Sequence, residues 1–287
     1  MKIAVLSDVH ANYRALLRVA DHLAEWRPDA VVVAGDTVNR GPRPAECLDF
    51  IRRMHDQDGW LIVRGNHEDY VIDQAQPAQP HSSLEKVVHQ ASHWTARQLG
   101  GDVAFLKAMP FQQCLNGPDG GQVQIVHASW RGNRDGIYPE TKDSALRAQI
   151  RPAGDALPIP AVLVVGHTHR PLIRCLKDTL VVNAGSAGLP FDGDPRPSYA
   201  QITYHNGNWN AEIPRLEYDR QQAERDFYET GYLPNGGPLV ELVLIELQQA
   251  RSLLYAWAVR YQKKVLQGEI SMQDSVSEFI AGLGPPR

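Results

Sequence analysis

An α/β architecture followed by a helical tail is what these 287 residues encode. Three observations carry that expectation. Short β-branched runs alternate with helical patterns through the first two thirds of the chain. Residues able to do chemistry stand directly after those runs. The composition turns charged and helical after about Leu216. Apolar residues make up 43% and charged residues 22% of the chain, which excludes disordered, collagenous and coiled-coil classes.

The elements follow in order. Residues 2–7 form a buried strand, and Leu16, Leu17, Ala20 and Leu23 recur at helical spacing across residues 14–26. Residues 30–34 (AVVVA) are a second buried strand, residues 42–54 a helix opened by proline, and residues 61–63 a short third strand. This βαβαβ rhythm implies parallel strands with helices on both faces. Residues 82–99 read as one helix with a Ser82-x-x-Glu85 capping box. Residues 74–80 (QAQPAQP) read as a linker-like loop. Residues 123–126, 162–165 and 180–182 are further strands, and residues 199–204 and 209–213 flank a hairpin turn at 205–208. Residues 220–229 are helical, and residues 239–266 form one long helix closed by Gly268. Within it Val243, Leu247, Ala250, Leu254, Trp257 and Tyr261 make a heptad seam. The seam suits packing on the chain's own domain and a homodimer equally. Residues 1–215 are thus expected to form the main domain and residues 216–287 a helical extension.

Charge and cysteine content exclude several functions. Lys+Arg 29 against Asp+Glu 33 gives a net charge of -4, with no basic footprint for a stable nucleic-acid complex. Cys47, Cys114 and Cys175 form no CxxC pair, so a cysteine zinc site and a thioredoxin motif are out; they read as reduced, buried thiols. The apolar run at residues 3–6 is too short for a secretory signal, and no stretch of 18 uncharged apolar residues would span a membrane. The expectation is a soluble cytoplasmic protein with no membrane partner.

Five strand ends carry the candidate chemistry. They are Asp8-Val9-His10, Gly35-Asp36-Thr37-Val38-Asn39-Arg40-Gly41, Gly65-Asn66-His67-Glu68, His127, and Gly166-His167-Thr168-His169. Ligands of open α/β sheets bind outside the carboxyl ends of the strands. Glycines before Asp36, Asn66 and His167 suit sharp exits where backbone crowds the site. The candidate metal ligands are Asp8, His10, Asp36, Asn66, His127, His167 and His169. Seven are too many for one transition metal, and they suit two if one carboxylate bridges. Imidazole, carboxylate and amide together suit manganese, iron, zinc or nickel rather than calcium or magnesium. Two divalent cations outweigh the charges of Asp8 and Asp36, so the site stays electropositive and attracts phosphate. A water bridging the metals would be acidified.

The ordered set resembles the calcineurin-like metallophosphoesterases, with their DxH, GDxVxxG, GNH(E/D), lone H and GHTH motifs, over roughly residues 1–214. Residues 35–46 and 182–199 are similar to its small bacterial and archaeal branch of phosphodiesterases and serine/threonine phosphatase-related proteins. The resemblance implies a four-layer αββα sandwich and two divalent transition metal ions, manganese first, then iron, zinc or nickel. It implies that Asp8, His10, Asp36 and His169 hold one metal, that Asp36, Asn66, His127 and His167 hold the other, and that a hydroxide bridging them attacks phosphorus. His67 is then the general acid facing the leaving group, and Arg40 clamps phosphate. Asn39 stands where related phosphatases carry an aspartate behind the histidine, which weakens that acid or shifts its support to Glu68 or Asp69. Phe191 stands where the branch has arginine, and offers a face to an aryl or nucleotide group. Asn183 and Ser186 lie in a turn that either fixes a ligand histidine or is only a turn. Trp130 reads as packing and, with Arg131, as an alternative lining of the substrate mouth. Loops 74–80, 130–138 and 189–197 are expected to shape the leaving-group side. The expected function is phosphodiester or phosphomonoester hydrolysis. The alternatives are a dinucleoside polyphosphate hydrolase, a nuclease, and a non-catalytic scaffold on the same fold.

Overall fold

Apolar side chains of the first strands divide between two cores. In β1 (Lys2–Leu6), Ala4 and Leu6 pack with Leu16, Val19 and Leu23 of α1 (Tyr13–Trp26), while Ile3 and Val5 point the opposite way. In β2 (Ala30–Val33), Val31 and Val33 face the helices and Val32 faces the second core. Strand side chains alternate between faces, so a strand apolar at every position must be covered on both. The second cover is another sheet: Ile3, Val5 and Val32 meet Val123, Ile125, Val162, Val164 and Val182. The structure, a computed structural model, describes residues 1–76, 81–151 and 159–284.

The remaining strands are β3 (Leu61–Ile62), β4 (Gln112–Asn116), β5 (Gln122–Val126), β6 (Val162–Val165), β7 (Leu172–Leu176), β8 (Thr179–Asn183), β9 (Ala200–His205) and β10 (Asn208–Glu212). One sheet has the order β10-β9-β1-β2-β3 and the other β4-β5-β6-β8-β7. β1, β2 and β3 run parallel, as do β5, β6 and β8, and antiparallel strands flank both sets. Helices α1 and α2 (Pro44–Asp58) cover the outer face of the first sheet with Leu16, Leu48 and Ile51. The outer face of the second packs Val126, Leu163, Val165 and Val181 against Leu146. The layers are therefore α, β, β, α, as the resemblance implied. Helices on both faces of one sheet, the reading from the βαβαβ rhythm alone, do not occur among the described residues: a strand buried on both sides does not reveal whether helix or sheet covers it.

Other helices are α3 (Asn66–Ala75), α4 (Ser83–Val88), α5 (Gln90–Gln98), α6 (Ala104–Ala108) and α7 (Asp143–Gln149). The expected single helix over residues 82–99 is split at His89, although its Ser82–Glu85 capping box forms. Of the loop expected at 74–80, Gln74 and Ala75 end α3, and residues 77–80 lie outside the described residues. The hairpin turn carries Asn206 (φ 50°) and Gly207 (φ 79°), the left-handed pair that a two-residue loop requires. Cys47 is buried as expected; Cys114 and Cys175 are exposed on the edge strands β4 and β7.

The tail contains α8 (Arg220–Glu229), α9 (Tyr232–Asn235), α10 (Leu239–Gln249), α11 (Leu254–Trp257), a π-helical turn (Ala258–Gln262), α12 (Lys263–Leu266) and α13 (Met272–Ala281). The expected continuous helix over 239–266 is broken at Ala250, which adopts φ 49°. The buried Glu246 carboxylate explains the break. It accepts the backbone N–H groups of Leu253 (2.6 Å) and Leu254 (2.8 Å), so a side chain of α10 caps α11. Seam residues Val243 and Leu247 pack with Trp94, Leu189 and Phe227; Trp257 and Tyr261 pack with Val276 and Phe279. The seam is covered by the chain itself. Among the described residues no helix is long and apolar enough to cross a membrane.

Candidate metal centre

Parallel strands of both sheets end at one edge, and each exit delivers a polar side chain there. Asp8 follows β1, Asp36 follows β2, Asn66 and His67 follow β3, His127 follows β5, and His167 and His169 follow β6. Backbone bonds lock the exits together: Asp8 N–H donates to Gly35 O (3.0 Å), His10 N–H to Asp36 O (2.9 Å) and Gly166 N–H to His127 O (2.8 Å). Asp8, His10, Asp36, Asn39, Arg40, His167 and His169 all have φ between 48° and 69°. That left-handed region costs a non-glycine residue about 1–2 kcal/mol, so strain is concentrated here. Two glycines are required by contact. A Cβ on Gly65 would overlap the Asp36 carboxylate, and one on Gly166 would overlap Ser7 and Asp8.

The structure brings all seven candidate ligands together. His10 Nδ1 faces Asn39 O (3.3 Å), His127 Nδ1 faces Ala34 O (2.8 Å) and His169 Nδ1 faces Leu189 O. Carbonyls only accept, so each Nδ1–H donates and each Nε2 presents a lone pair inward. His10 Nε2 and His169 Nε2 stand 3.1 Å apart, and His169 Nε2 stands 3.2 Å from Asp8 Oδ1. Asp8 Oδ1 is buried without a hydrogen-bond partner, while its Oδ2 accepts His167 N–H (2.8 Å). On the other side His127 Nε2 lies 3.0 Å from Asn66 Oδ1 and 3.3 Å from Asp36 Oδ2, and His167 Nδ1 lies 2.9 Å from Asn66 Oδ1. Asp36 Oδ1 accepts His67 N–H (2.8 Å), which turns Oδ2 between the two halves, 3.7 Å from His10 Nε2. The groups Asp8–His10–His169 and Asp36–His127–His167 are each tight enough to hold one metal ion. Lone pairs facing one another at about 3 Å call for a cation, and this donor set fits a divalent transition metal.

The field at the cluster says the same. Burial pushes the Asp8 and Asp36 carboxyls up, and the surrounding histidines, His169 for Asp8 and His127 for Asp36, more than reverse it. Both stay below the ordinary carboxylate value. Burial pushes His127 down, but the Asp36 carboxylate pulls it up to about 10. Burial and the His127 charge push His167 down to about 4.

His67 lies beside this cluster, edge-on to His10 at 4.8 Å, and lines the cleft. The Asn39 amide N–H donates to His67 Nδ1 (2.9 Å) and to Ser92 Oγ (2.9 Å), and Thr95 Oγ1 donates to Asn39 Oδ1 (3.4 Å). Ser92 and Thr95, on α5, were not found from sequence: a serine and a threonine on a helix carry no motif. The hydrogen of His67 is therefore on Nε2. Burial holds His67 well below its ordinary pKa, with Arg40 adding to the effect. Glu68 and Asp69 do not support it. Glu68 accepts the backbone N–H groups of Asp36, Thr37 and Gly65, and Asp69 pairs with Arg64 (3.2 Å) and accepts from Asn133 (2.6 Å).

The other expectations divide. Asn183 Nδ2 donates to Gly166 O (2.8 Å) and Thr168 Oγ1 (2.9 Å), and Ser186 Oγ donates to Asp8 O (2.7 Å), so the turn braces two loops that carry candidate ligands. Phe191 spends one ring face on His169, stacked at 4.2 Å. Trp130 packs against the second sheet's outer core and Arg131 pairs with Asp135; neither lines the cleft. Arg40 does line it, and no ion pair engages its guanidinium among the described residues. The cleft measures about 940 Å³, and Arg134, Tyr138, Ser252 and Tyr255 complete its walls. Ser252 and Tyr255 come from the tail, beyond the loops expected to shape this side.

Known proteins are similar to this chain in sequence and fold. Residues 1–207 match the family model of the calcineurin-like phosphoesterase superfamily domain. An uncharacterised protein of Methanocaldococcus jannaschii is 26% identical over 241 residues, spanning 77% of this chain and 89% of that protein. A metallophosphoesterase from Sphaerobacter thermophilus superposes with a TM-score of 0.66 at 27% identity, covering 87% of this chain and 100% of that one. A hypothetical protein from Pyrococcus horikoshii OT3 shares the fold, with a TM-score of 0.71 at 20% identity over 88% of this chain and 99% of that one.

Proposed function

This chain belongs to the calcineurin-like phosphoesterase superfamily, and from that premise we propose that it is a two-metal phosphoester hydrolase. One observation carries the reading: seven donor side chains, six of them buried and His167 half-buried, converge on two adjacent points, with Asp36 Oδ2 between them. Asp8, His10, Asp36 and His169 would hold one ion, and Asp36, Asn66, His127 and His167 the other. When bound, divalent ions of the manganese type supply Lewis acidity toward water and toward phosphoryl oxygens.

The chain's own groups do the rest. Arg40 offers the phosphate a planar fork of donors with no competing carboxylate. His67 meets the leaving-group oxygen as a hydrogen donor through Nε2. Asn39, held by Ser92 and Thr95, keeps that hydrogen on Nε2 by occupying Nδ1. An amide behind the ring stabilises an imidazolium less than a carboxylate would. The site therefore favours leaving groups that depart with little protonation, such as aryl esters. The strained, braced exits hold these groups still before substrate arrives.

The test is hydrolysis of p-nitrophenyl phosphate and bis(p-nitrophenyl) phosphate, with added manganese and with chelator. Turnover of at least one ester, abolished by chelator and restored by manganese, supports the reading. Chelator-insensitive turnover, or none, contradicts it. The ratio of the two rates decides between phosphatase and phosphodiesterase.

A further inference from the structure

The cleft beside the cluster is built for more than a phosphate. Two of its wall residues are exposed aromatic side chains: Tyr138, 45% exposed, from the loop after β5, and Tyr255, 74% exposed, from α11. Single exposed tyrosines are ordinary on any surface. These two share one cleft with the ligand cluster, and their hydroxyls are near enough that Tyr255 adds to burial in raising the Tyr138 phenol.

Both are mounted rigidly. Tyr138 N–H donates to Thr141 Oγ1 (2.9 Å), Thr141 N–H returns to Tyr138 O (3.0 Å), and the Arg174 guanidinium donates to Pro139 O and Thr141 O. The preceding Ile137 is fully buried. Tyr255 sits on the helix capped by Glu246 and anchored by buried Trp257, whose indole N–H donates to Ser275 Oγ (3.1 Å). Gly193 N–H ties the break at Ala250 to the loop carrying Phe191 (3.0 Å). An aromatic face held in place loses little freedom on binding.

The charges on the walls point the same way. Arg170 is engaged by Glu140, and Asp192 by Arg215. Arg40 and Arg134 have no carboxylate partner among the described residues; Arg134 instead lies over the Tyr70 ring at 4.8 Å. Two guanidiniums are thus open to anions beside two open aromatic faces. A cleft of about 940 Å³ is far larger than phosphate needs and lies in the range of sites for molecules of nucleotide size.

We propose that Tyr138 and Tyr255 form a subsite that stacks on a nucleobase, so that the substrate of this chain is a nucleoside phosphate, with Arg40 and Arg134 on its phosphates and the tail supplying part of the specificity. The proposal rests on the phosphoesterase reading and narrows it. Base–aromatic stacking tolerates any base, so the subsite selects for a base rather than among bases.

The test compares adenosine 5′-monophosphate with ribose 5-phosphate, which differ only in the base, by calorimetry on the manganese-loaded protein. Adenosine 5′-monophosphate is expected to bind at least tenfold more tightly. Tyr255→Ala and Tyr138→Ala should each weaken it about tenfold, the scale of one lost stack, and leave ribose 5-phosphate within twofold. Tyr255→Phe, which keeps the ring, should retain the affinity. Equal binding of the two ligands to the wild type, failure of both to bind, or equal weakening of both by the alanine variants overturns the proposal. If nitrophenyl ester hydrolysis persists through such a result, the subsite alone has failed. If metal-dependent hydrolysis is absent as well, the phosphoesterase reading has failed with it.

Discussion

At the scale of single residues, we propose that the balance between His67 and Asn39 sets what this site can cleave. His67→Ala should lower kcat about 10²–10⁴-fold on an alkyl ester, the usual worth of a positioned proton donor. The loss should be smaller on a p-nitrophenyl ester, whose leaving group departs unprotonated. Asn39→Asp should act in the opposite direction, raising alkyl-ester turnover relative to aryl-ester turnover. A plot of log kcat against leaving-group pKa checks both, and equal changes across the series would refute a hydrogen-donating role. The candidate ligand residues, which the structure brings together, were legible in the sequence because each follows an apolar strand and each is a strong donor type. Ser92 and Thr95 were not legible, because their role exists only once α5 is laid against the Asn39 loop. Phe191 was legible as an aromatic side chain at the cleft, which it lines, but not in its stacking of one ring face on His169.

At the scale of elements, α8 is docked by one carboxylate. Asp226 is buried and accepts from Arg14 (3.0 Å) on α1 and from Arg43 (2.7 Å) at the start of α2. Burial pushes its carboxyl up, and Arg43 and Arg14 more than reverse this, leaving it below the ordinary value. A carboxylate whose folded pKa is depressed adds stability above its unfolded pKa and loses it as pH falls through the folded one. Asp226→Asn should therefore cost about 2 kcal/mol at neutral pH, since both arginines are partly solvated. The difference from wild type should shrink below about pH 4. Urea denaturation across pH measures it, and a difference that stays constant into acid would contradict this account. The broken helix at Ala250 shows what periodicity misses. The apolar spacing of residues 239–266 runs through the break undisturbed, and only Glu246 turning back onto Leu253 and Leu254 ends the helix. Edge strands β4 and β7 were missed because their exposed faces carry no apolar alternation strong enough to read.

At the scale of the whole molecule, two sheets exist so that six parallel strands can end at one edge. That convergence is what turns scattered short motifs into one cluster. The strand runs were readable from sequence, whereas their division between two stacked sheets came from the resemblance and not from periodicity. The tail belongs to the same body: Trp94 and Leu189 share a core with Phe227, Val243 and Leu247. We propose that the division at residues 215 and 216 marks a change in the chain rather than a gap in the packing. The central claim is that Asp36 joins two metal positions, and metal titration tests it most directly. Calorimetric titration of the metal-free chain with manganese should give two ions per chain, and Asp36→Asn should lose at least one of them together with ester hydrolysis. Binding of fewer than two ions by the wild type, or undiminished binding and turnover in Asp36→Asn, would contradict the account.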